Sequence, residues 1–485
     1  MIFRFSFWRE LWNGMLARSV AKKPVNPGDG SSEAKSSTIP QELMMRADQA
    51  WSRGDLRAAL QGMEQALAIS DQPDIACRYA TLLYHAGQKN SARELLFRTI
   101  AKAPLFIAAQ TQLSRMIKQD QRLMSANAQE ENSQRQALLA KMRESIERED
   151  FFKPSAFWDS IAAKHERWLD DFGIDNFKRT VAHNYQNWLI HSPEDSQWRR
   201  LQALWLEAGY TQPLLNTVEA VDDAGFIWEA NNPAYPLSWP PAMATYKLAT
   251  GILWEVASAA DSVGFLADYD ESLIGNPIRI RRNGRLISQD AAHSSRELNA
   301  LFKAANLPQN GKWIFAELGA GHGRLAEMVG NATDHRYWIF DIAPTLAVSQ
   351  WYIQQRFPGE KIFSFRDFDD WSEIEDELSD CRFAFFTANQ IRHLPSSSVD
   401  VFINICSLME MRRDQIDYFL ERISEVTRRV FMSKQWYEWD NPTDGIHVSK
   451  DDFRLKKDFD LIFDQPDDIL KELYVQFWSR RAAIV

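Results

Sequence analysis

One stretch in the second half of the chain limits its fold more than any other: WIFAELGAGHGRLAEMV, residues 313–329. The apolar residues that open it are typical of a buried parallel strand, and the spacing of the apolar residues that close it predicts a helix. Three glycines at alternate positions, Gly319, Gly321 and Gly323, join the two. Glycine permits positive φ and close approach of a ligand, and a helix N-terminus presents free N–H groups. The stretch therefore predicts a strand, a ligand-binding turn and a helix.

The spacing of the turn separates two classes of ligand. A dinucleotide site has the pattern GxGxxG, whereas this turn reads ExGxGxG, with Glu317 two residues before the first glycine. A carboxylate there would repel a pyrophosphate but attract an ammonium group. A second predicted strand, HRYWIFD, ends in Asp341, where a carboxylate can accept hydrogen bonds from both hydroxyls of a ribose. An ammonium and a ribose in one ligand indicate S-adenosylmethionine.

Three further strands follow along the chain. RFAFFTANQI predicts a third strand, with Asn389 and Gln390 at its end able to hydrogen-bond the edge of an adenine. A fourth strand ends near Asn404, and RRVFMSKQW predicts a fifth. Strands that alternate with helices predict a parallel, doubly wound α/β sheet with its ligand at the carboxyl ends of the strands. The residues predicted to bind the cofactor are Glu317, Gly319, Ala320, Gly321, Gly323, Asp341, Ile342, Asn389, Gln390, Asn404 and Gln289.

Composition excludes several other classes of protein. A chain of 485 residues predicts two or three domains, and no apolar run is long enough for a membrane span. The formal net charge of -10 disfavours nucleic acid as a partner. The three cysteines are widely separated and show no metal-ligand spacing, which is typical of a reducing cytoplasm.

The N-terminal segment, residues 1–23, is basic and rich in aromatic residues, and it lacks the features of a secretory signal. Two interpretations stay open: weak attachment to the inner face of a membrane, or a helix that docks on a protein surface. Residues 22–40 are rich in Pro, Gly and Ser and predict a flexible linker.

Residues 41–150 show helical periodicity and an internal repeat with an offset of 33 residues, followed by a charged helix. Gly54, Ala59, Met63 and Leu67 recur as Gly87, Ala92, Leu96 and Ile100. The two units resemble tetratricopeptide repeats, in which small residues let paired helices approach each other. Such a module either binds a protein partner or acts as a helical spacer.

Residues 151–212 carry many aromatic residues at helical spacing, and these residues open a predicted helical cap or substrate domain, residues 151–300. Aromatic stripes of this kind usually form a core, although an aromatic face also suits a sugar ring.

From about residue 151 to its end, the chain resembles the bacterial sugar O-methyltransferases, a branch of the class I S-adenosylmethionine-dependent methyltransferases. The resemblance is carried by NFKRTVAHNYQNWL, GNPIRIRRNGRLISQDAAHS, ELGAGHGRLAE, FDIAPTLAVSQWYI, LPSSSVDVFINICSLMEM and FMSKQWYEWDNPTDG. It implies a Rossmann-like methyltransferase domain, residues 301–485, that transfers a methyl group to a sugar hydroxyl in the synthesis of capsule or lipopolysaccharide. The turn would then hold the methionine part, Asp341 the ribose and the Asn389 region the adenine. Leu408 and Met409 depart from the Phe and Gln that relatives tend to have.

Transfer to a hydroxyl needs a group that removes one proton. Glu410 is the first candidate for this base, and a capping role for its carboxylate is the alternative. His447 and His293 are further candidates, although a histidine in a loop is more often a surface residue.

Substrate contacts are predicted from two segments. Gln289 and Asp290 lie in SQDAAHSSRE, which could fold over the cofactor as a lid. Lys434 and Trp436 follow the fifth strand and are candidates for contacts with a sugar, while core packing is the alternative for the tryptophan. No cluster has convincing metal spacing, and Asp440 with Asp444 is the one weak alternative.

Three functions therefore stay open. The first is methylation of a sugar hydroxyl, the second is methylation of a small molecule or a protein, and the third is a repeat-containing scaffold that keeps the fold without catalysis.

Overall fold

The computed structural model describes residues 33–53, 55–103, 106, 108–110, 112–113, 116, 128–185, 189–190, 195–209, 218–220, 240–441, 443–455 and 458–481. Two compact units are present: residues 1–124 with 224–243, and residues 125–223 with 244–485. The predicted boundary at residue 300 separates no units, since the chain on both sides of it belongs to the second unit. The interpretations of residues 1–23 as a membrane anchor or a docking helix lie outside the described residues.

The helices of the first unit whose bounds the structure describes are α1 (Glu33–Ser52), α2 (Leu56–Ile69), α3 (Pro73–His85) and α4 (Lys89–Lys102). The Asp55 carboxylate caps α2 by accepting a hydrogen bond of 2.9 Å from the backbone N–H of Ala58. The bounds of α2 and α4 differ by 33 residues, and Ala59 and Ala92 are fully buried at equivalent positions. Their assignment to the tetratricopeptide class stays a prediction.

The linker prediction is wrong at its C-terminal end. Helix α1 begins at Glu33, whereas the linker was predicted to extend to residue 40. No glycine follows Gly30 in this segment, so its Ala, Lys and Ser residues tolerate a helix. Closer to its C-terminus, α1 is stabilised by burial of Ala47 against α2.

Helices and a small sheet open the second unit. The helices are α5 (Ala128–Glu147), α6 (Ala156–Phe172), α7 (Ser196–Glu207) and α8 (Pro240–Ala260), of which α8 belongs to this unit from residue 244 onwards. The strands are β1 (Val218–Ala220), β2 (Ile280–Arg282) and β3 (Arg285–Ile287). The three strands pair antiparallel in the order β1-β2-β3. Asn283 and Gly284 join β2 to β3, both with positive φ, as a tight hairpin turn requires. The region predicted to be helical therefore also contains a short sheet.

The remaining elements begin with strands and helices in near alternation and end in five successive strands. They are α9 (Gln289–Ala304), β4 (Ile314–Leu318), α10 (Arg324–Ala332), β5 (Arg336–Asp341), α11 (Ala343–Arg356), β6 (Ile362–Phe363), α12 (Glu375–Ser379), β7 (Phe383–Thr387), β8 (Val399–Ile405), α13 (Arg413–Val426), β9 (Thr427–Trp436), β10 (Glu438–Asn441), β11 (Ile446–Ser449), β12 (Phe459–Pro466) and β13 (Leu473–Arg480).

The main sheet has eight strands in the order β12-β13-β9-β8-β4-β5-β7-β6. The six strands from β9 to β6 are parallel, and all five predicted strands are among them. The predicted Rossmann-like α/β sheet is thus confirmed. The prediction that it is parallel throughout is wrong, because β13 pairs antiparallel with β9 and β12. A short connection joins β12 to β13, and such a connection permits only antiparallel pairing.

Aromatic residues fill the core around this sheet. Phe315, Phe340, Phe386 and Phe402 are fully buried, and the rings of Phe340 and Phe386 stack at 4.9 Å. Each such burial stabilises the fold by roughly 1.5–3 kcal/mol. The carboxyl ends of the strands are consequently held on a rigid base. None of the helices in the described ranges has the length and apolarity needed to cross a bilayer.

Candidate functional site

A cavity open to solvent lies at the carboxyl ends of β4, β5, β7 and β8. This is the edge where open α/β sheets bind their ligands. Of the predicted cofactor-binding residues, those that line it are Glu317, Gly319, Ala320, Gly321, Asp341 and Ile342. Glu410 also lines it, so the first candidate base and the predicted cofactor site share one cavity.

All three glycines of the turn have positive φ: +76° at Gly319, +62° at Gly321 and +87° at Gly323. The chain itself also leaves no room for a side chain at Gly319, where a Cβ would lie 2.3 Å from Ser407. Gly323 caps α10 in a left-handed conformation and does not line the cavity. The glycines are therefore required by backbone geometry and packing as well as by access for a ligand.

Glu317 lies near the end of β4 with only 3% of its surface exposed. Its carboxyl accepts a hydrogen bond of 2.7 Å from the Tyr337 hydroxyl. Burial raises the pKa of Glu317 to about 7, against the opposing effects of Arg324 and Tyr337. A buried carboxylate is costly without a positive partner, so this group favours a cationic ligand.

Asp341 ends β5 and is tied to the glycine turn. Its carboxylate accepts hydrogen bonds from the backbone N–H groups of Gly321, at 3.0 Å, and Ile342, at 2.7 Å. Burial raises the pKa of Asp341 to about 7, although both N–H groups favour the charged form. The aspartate thus fixes the turn while facing the cavity.

Glu410 lies in a short 3₁₀ helix after β8 and is 7% exposed. Its carboxylate accepts a hydrogen bond of 2.9 Å from the indole N–H of Trp158. Burial raises the pKa of Glu410 to about 8, while the Trp158 N–H acts to lower it. A carboxyl with a pKa near the working pH is suited to proton transfer.

Residues 150–185, here called the cover segment, form one wall of the cavity through Phe152, Trp158 and Tyr185. The hydroxyl of Ser155 donates to the backbone carbonyl of Glu410 at 2.8 Å. The Asp444 carboxylate accepts from the first backbone N–H groups of α6 and so caps this helix. Trp158, Ser155 and Tyr185 are site residues that the sequence did not predict, because the aromatic spacing of this segment is equally typical of a core.

Four predicted cofactor ligands are used within the protein instead. The Asn404 amide donates to the Leu318 carbonyl at 2.8 Å and accepts from Gln435 at 2.6 Å. The Gln390 side chain bonds the backbone of Thr387 and Arg366, Gln289 bonds both backbone groups of Ile190, and Asn389 donates to the Ser145 carbonyl. None of the four lines the cavity, so their predicted contacts with the cofactor are not supported by their positions.

The predicted substrate-binding residues also lie away from the cavity lining. The Lys434 ammonium is fully buried and pairs with Glu297 and Asp467, both at 2.8 Å. Trp436 packs near Trp439, with ring centroids 6.2 Å apart. Asp290 lies in the first turn of α9, and its carboxylate is 3.7 Å from the His322 ring.

The two histidines proposed as bases are placed poorly for that role. His293 is fully buried, and burial with nearby Lys434 lowers its pKa to about 3, so it stays neutral. His447 lies on β11, is exposed and pairs with Asp440 at 2.8 Å. Hydrogen bonding to this aspartate raises the pKa of His447. Neither histidine lines the cavity, which leaves Glu410 as the candidate base.

A second buried group of charges lies beside the turn, and its Arg324 also lines the cavity. Arg324, the first residue of α10, donates to Glu297 at 2.6 Å and to Ser294 at 2.9 Å. Burial alone would raise the pKa of Glu297, but Arg324 and Lys434 hold it at about 2. Among the residues that the structure describes, no group of three His, Cys, Asp or Glu side chains could hold a metal ion.

No protein-family model matches the sequence, and no curated protein matches it. Among solved structures, it is similar to a magnesium protoporphyrin IX methyltransferase from Synechocystis PCC 6803 with bound S-adenosylmethionine, at 12% identity, covering 47% of this chain and 97% of that one, with a TM-score of 0.26. A 1,6-didemethyltoxoflavin-N1-methyltransferase from Burkholderia thailandensis matches at 14% identity over 39% and 76% of the two chains, with a TM-score of 0.24. A S-adenosylmethionine-dependent methyltransferase from Aquifex aeolicus matches at 11% identity over 38% and 89%, also with a TM-score of 0.24.

TM-scores of this size support no inference about the chain, so its fold is assigned from its own strand order. Six parallel strands continued by an antiparallel pair form a mixed, Rossmann-like sheet, preceded by an N-terminal helical region.

Proposed function

We propose that the protein is an S-adenosylmethionine-dependent O-methyltransferase that acts on the hydroxyl of a sugar. One observation carries the proposal: a buried carboxyl beside a positive-φ turn, an aspartate on the next strand and a third buried carboxyl all face a single cavity. Those three groups are Glu317, Asp341 and Glu410.

The residues present fit the proposed cofactor. Glu317 would hold the ammonium group, since a buried carboxyl gains most from a positive partner. Asp341 would hold the ribose, and Ile342 offers an apolar side chain beside it. S-adenosylmethionine supplies an activated methyl group, so the protein needs only to orient the acceptor and remove a proton.

Glu410 is the proposed base. In its ionised form its carboxylate would take the proton of the acceptor hydroxyl, with its orientation fixed by the Trp158 N–H. Because burial raises the pKa of Glu410 to about 8, activity should increase with pH between about 7 and 9.

The sugar assignment rests on the resemblance in sequence and on the aromatic wall of the cavity. The ring of Trp158 provides an apolar face of the kind that packs on a sugar, next to a carboxylate that can accept from its hydroxyls. Surface glycan synthesis at the cytoplasmic side of the membrane is the proposed setting, with a protein partner for the helical repeats. A small-molecule or protein acceptor, or a scaffold without catalysis, are the alternatives that the experiment must exclude.

The test uses the full chain with methyl-labelled S-adenosylmethionine and three groups of acceptors: glycosides and nucleotide sugars, small phenols and amines, and peptides. We expect label in a sugar, and at least a hundredfold lower rate for Glu410→Gln with unchanged binding of S-adenosylhomocysteine. Label only in peptide or only in the small molecules would overturn the sugar assignment. Binding of cofactor with no transfer to any acceptor would favour the scaffold.

A further inference from the structure

Two buried hydroxyls in the cavity, those of Tyr185 and Thr345, form no hydrogen bond of good geometry with the described residues, and their polar neighbours include each other and Asp341. Thr345 is only 2% exposed, and both residues line the cavity. A buried polar group without a partner destabilises a protein by about 1–3 kcal/mol. Such groups in a native fold therefore call for an explanation, and a ligand that supplies the missing partners is one.

The position of the two hydroxyls indicates which part of a ligand they meet. Tyr185 ends the cover segment and lies directly over the glycine turn, with its Cβ 3.2 Å from where a Cβ on Gly321 would stand. Thr345 lies in the first turn of α11, which begins immediately after Asp341 and Ile342. Burial raises the pKa of Tyr185, a hydrogen-bonding contact with the Thr345 hydroxyl acts to lower it, and the charge of Asp341 acts to raise it, so the three groups lie together.

We propose that the hydroxyls of Tyr185 and Thr345 bind the ribose of S-adenosylmethionine together with Asp341. This inference rests on the proposed function, because it takes the cofactor as given. A hydroxyl both donates and accepts, so two of them next to a carboxylate match the two hydroxyls of a ribose. The cover segment then contributes a cofactor ligand of its own, in addition to the wall it forms beside Glu410.

Calorimetric titration of the full chain tests the proposal with two probes, S-adenosylhomocysteine and 5′-methylthioadenosine, which keeps the ribose but lacks the amino-acid part. We expect Tyr185→Phe and Thr345→Val each to lower the affinity for both probes about fivefold, as the loss of one hydrogen bond predicts. The melting temperature without ligand should stay the same or increase, because each variant removes a buried hydroxyl that forms no hydrogen bond of good geometry.

Tyr474→Phe is the matched control. Tyr474 is fully buried on β13, and its hydroxyl likewise forms no hydrogen bond of good geometry and has another hydroxyl, that of Ser433, as its neighbour, but it does not line the cavity. We expect its affinity for both probes to equal that of the unaltered protein.

The outcomes separate this inference from the proposed function. If the unaltered protein binds neither probe, the proposed function fails. If the unaltered protein binds both probes, two results overturn the ribose contact and leave the proposed function standing. In the first, the variants bind both probes as tightly as the unaltered protein does, and in the second they lose affinity for S-adenosylhomocysteine alone.

Discussion

Three carboxyl groups in one cavity carry pKa values near neutrality, and each is held there mainly by burial: Glu317 and Asp341 at about 7, and Glu410 at about 8. Folding thus removes three acids from water without giving them a cation within the protein to offset the full cost. Positions of this kind are typical of functional sites, where stability is sacrificed for chemistry.

This cost predicts how stability changes with pH. The pKa of Glu410 is higher in the folded protein than in the unfolded chain, so its contribution to stability is present at low pH and is lost as the pH rises towards 8. Glu410→Gln removes the titration, so relative to the unaltered protein we expect its melting temperature to increase between about pH 5 and pH 8 and the difference to level off above pH 8. The difference corresponds to up to about 1.4 kcal/mol per pH unit. Calorimetric melting at several pH values measures it, and parallel curves for the two proteins would contradict the assigned pKa.

Polar side chains that form hydrogen bonds with other groups of the protein were harder to predict than those that face the cavity. The ExGxGxG spacing located Glu317 and Asp341 because the chemistry of a ligand follows from local sequence. Asn389, Gln390 and Asn404 stand at the predicted strand ends, yet their amides satisfy backbone groups of the protein. Which polar side chain is used in this way depends on contacts between distant segments, which the sequence does not specify.

Among the elements, the connection after β8 determines the shape of the glycine turn. Cys406 has a φ of +53°, and Ser407 next to it packs against Gly319 while its hydroxyl donates to the Leu318 carbonyl at 3.0 Å. A positive φ at a residue other than glycine is strained, and it persists only where the surrounding structure holds it. Such strain is concentrated at functional sites. Two strands thus share one rigid corner of the cavity.

Gly319→Ala tests that corner. Its φ of +76° and a Cβ only 2.3 Å from Ser407 should together destabilise the second unit by about 3 kcal/mol or more. Gly284→Ala is the control, since its φ is +82° but no atom lies within 4 Å of the added Cβ, and we expect a loss of about 1 kcal/mol. Urea unfolding measures both, and equal losses would show that packing on Ser407 is not the reason for the glycine.

The strands of the main sheet were predicted well from the sequence, whereas the place of the cover segment was not. Alternating strands and helices gave the order of β4, β5, β7, β8 and β9, because a buried parallel sheet has a simple pattern. The cover segment looks like any helix with an aromatic stripe, and only its contacts with Glu410 and Gly321 reveal its place.

At the scale of the whole molecule, the chain forms two compact units, each with its own core. The first buries Ala80, Leu96 and Ile100 among its helices, whereas the second is built on the eight-stranded sheet. The cavity lies wholly within the second unit. A ligand bound there stabilises that unit directly, as binding to a folded state always does.

Calorimetric heating of the full chain should therefore show two transitions. We expect S-adenosylhomocysteine at a hundred times its Kd to move only the transition of the second unit, by an amount equivalent to about 2.7 kcal/mol. An equal shift of both transitions would contradict the assignment of the site to one unit.

Titration of S-adenosylhomocysteine and 5′-methylthioadenosine into the unaltered protein and Glu317→Gln tests the central claim most directly. If Glu317 recognises the ammonium group, S-adenosylhomocysteine binds with a micromolar Kd and the variant weakens it about tenfold or more. The affinity for 5′-methylthioadenosine, which has no ammonium group, should not change. Absence of binding to the unaltered protein, or an equal loss for both ligands in the variant, would contradict the account.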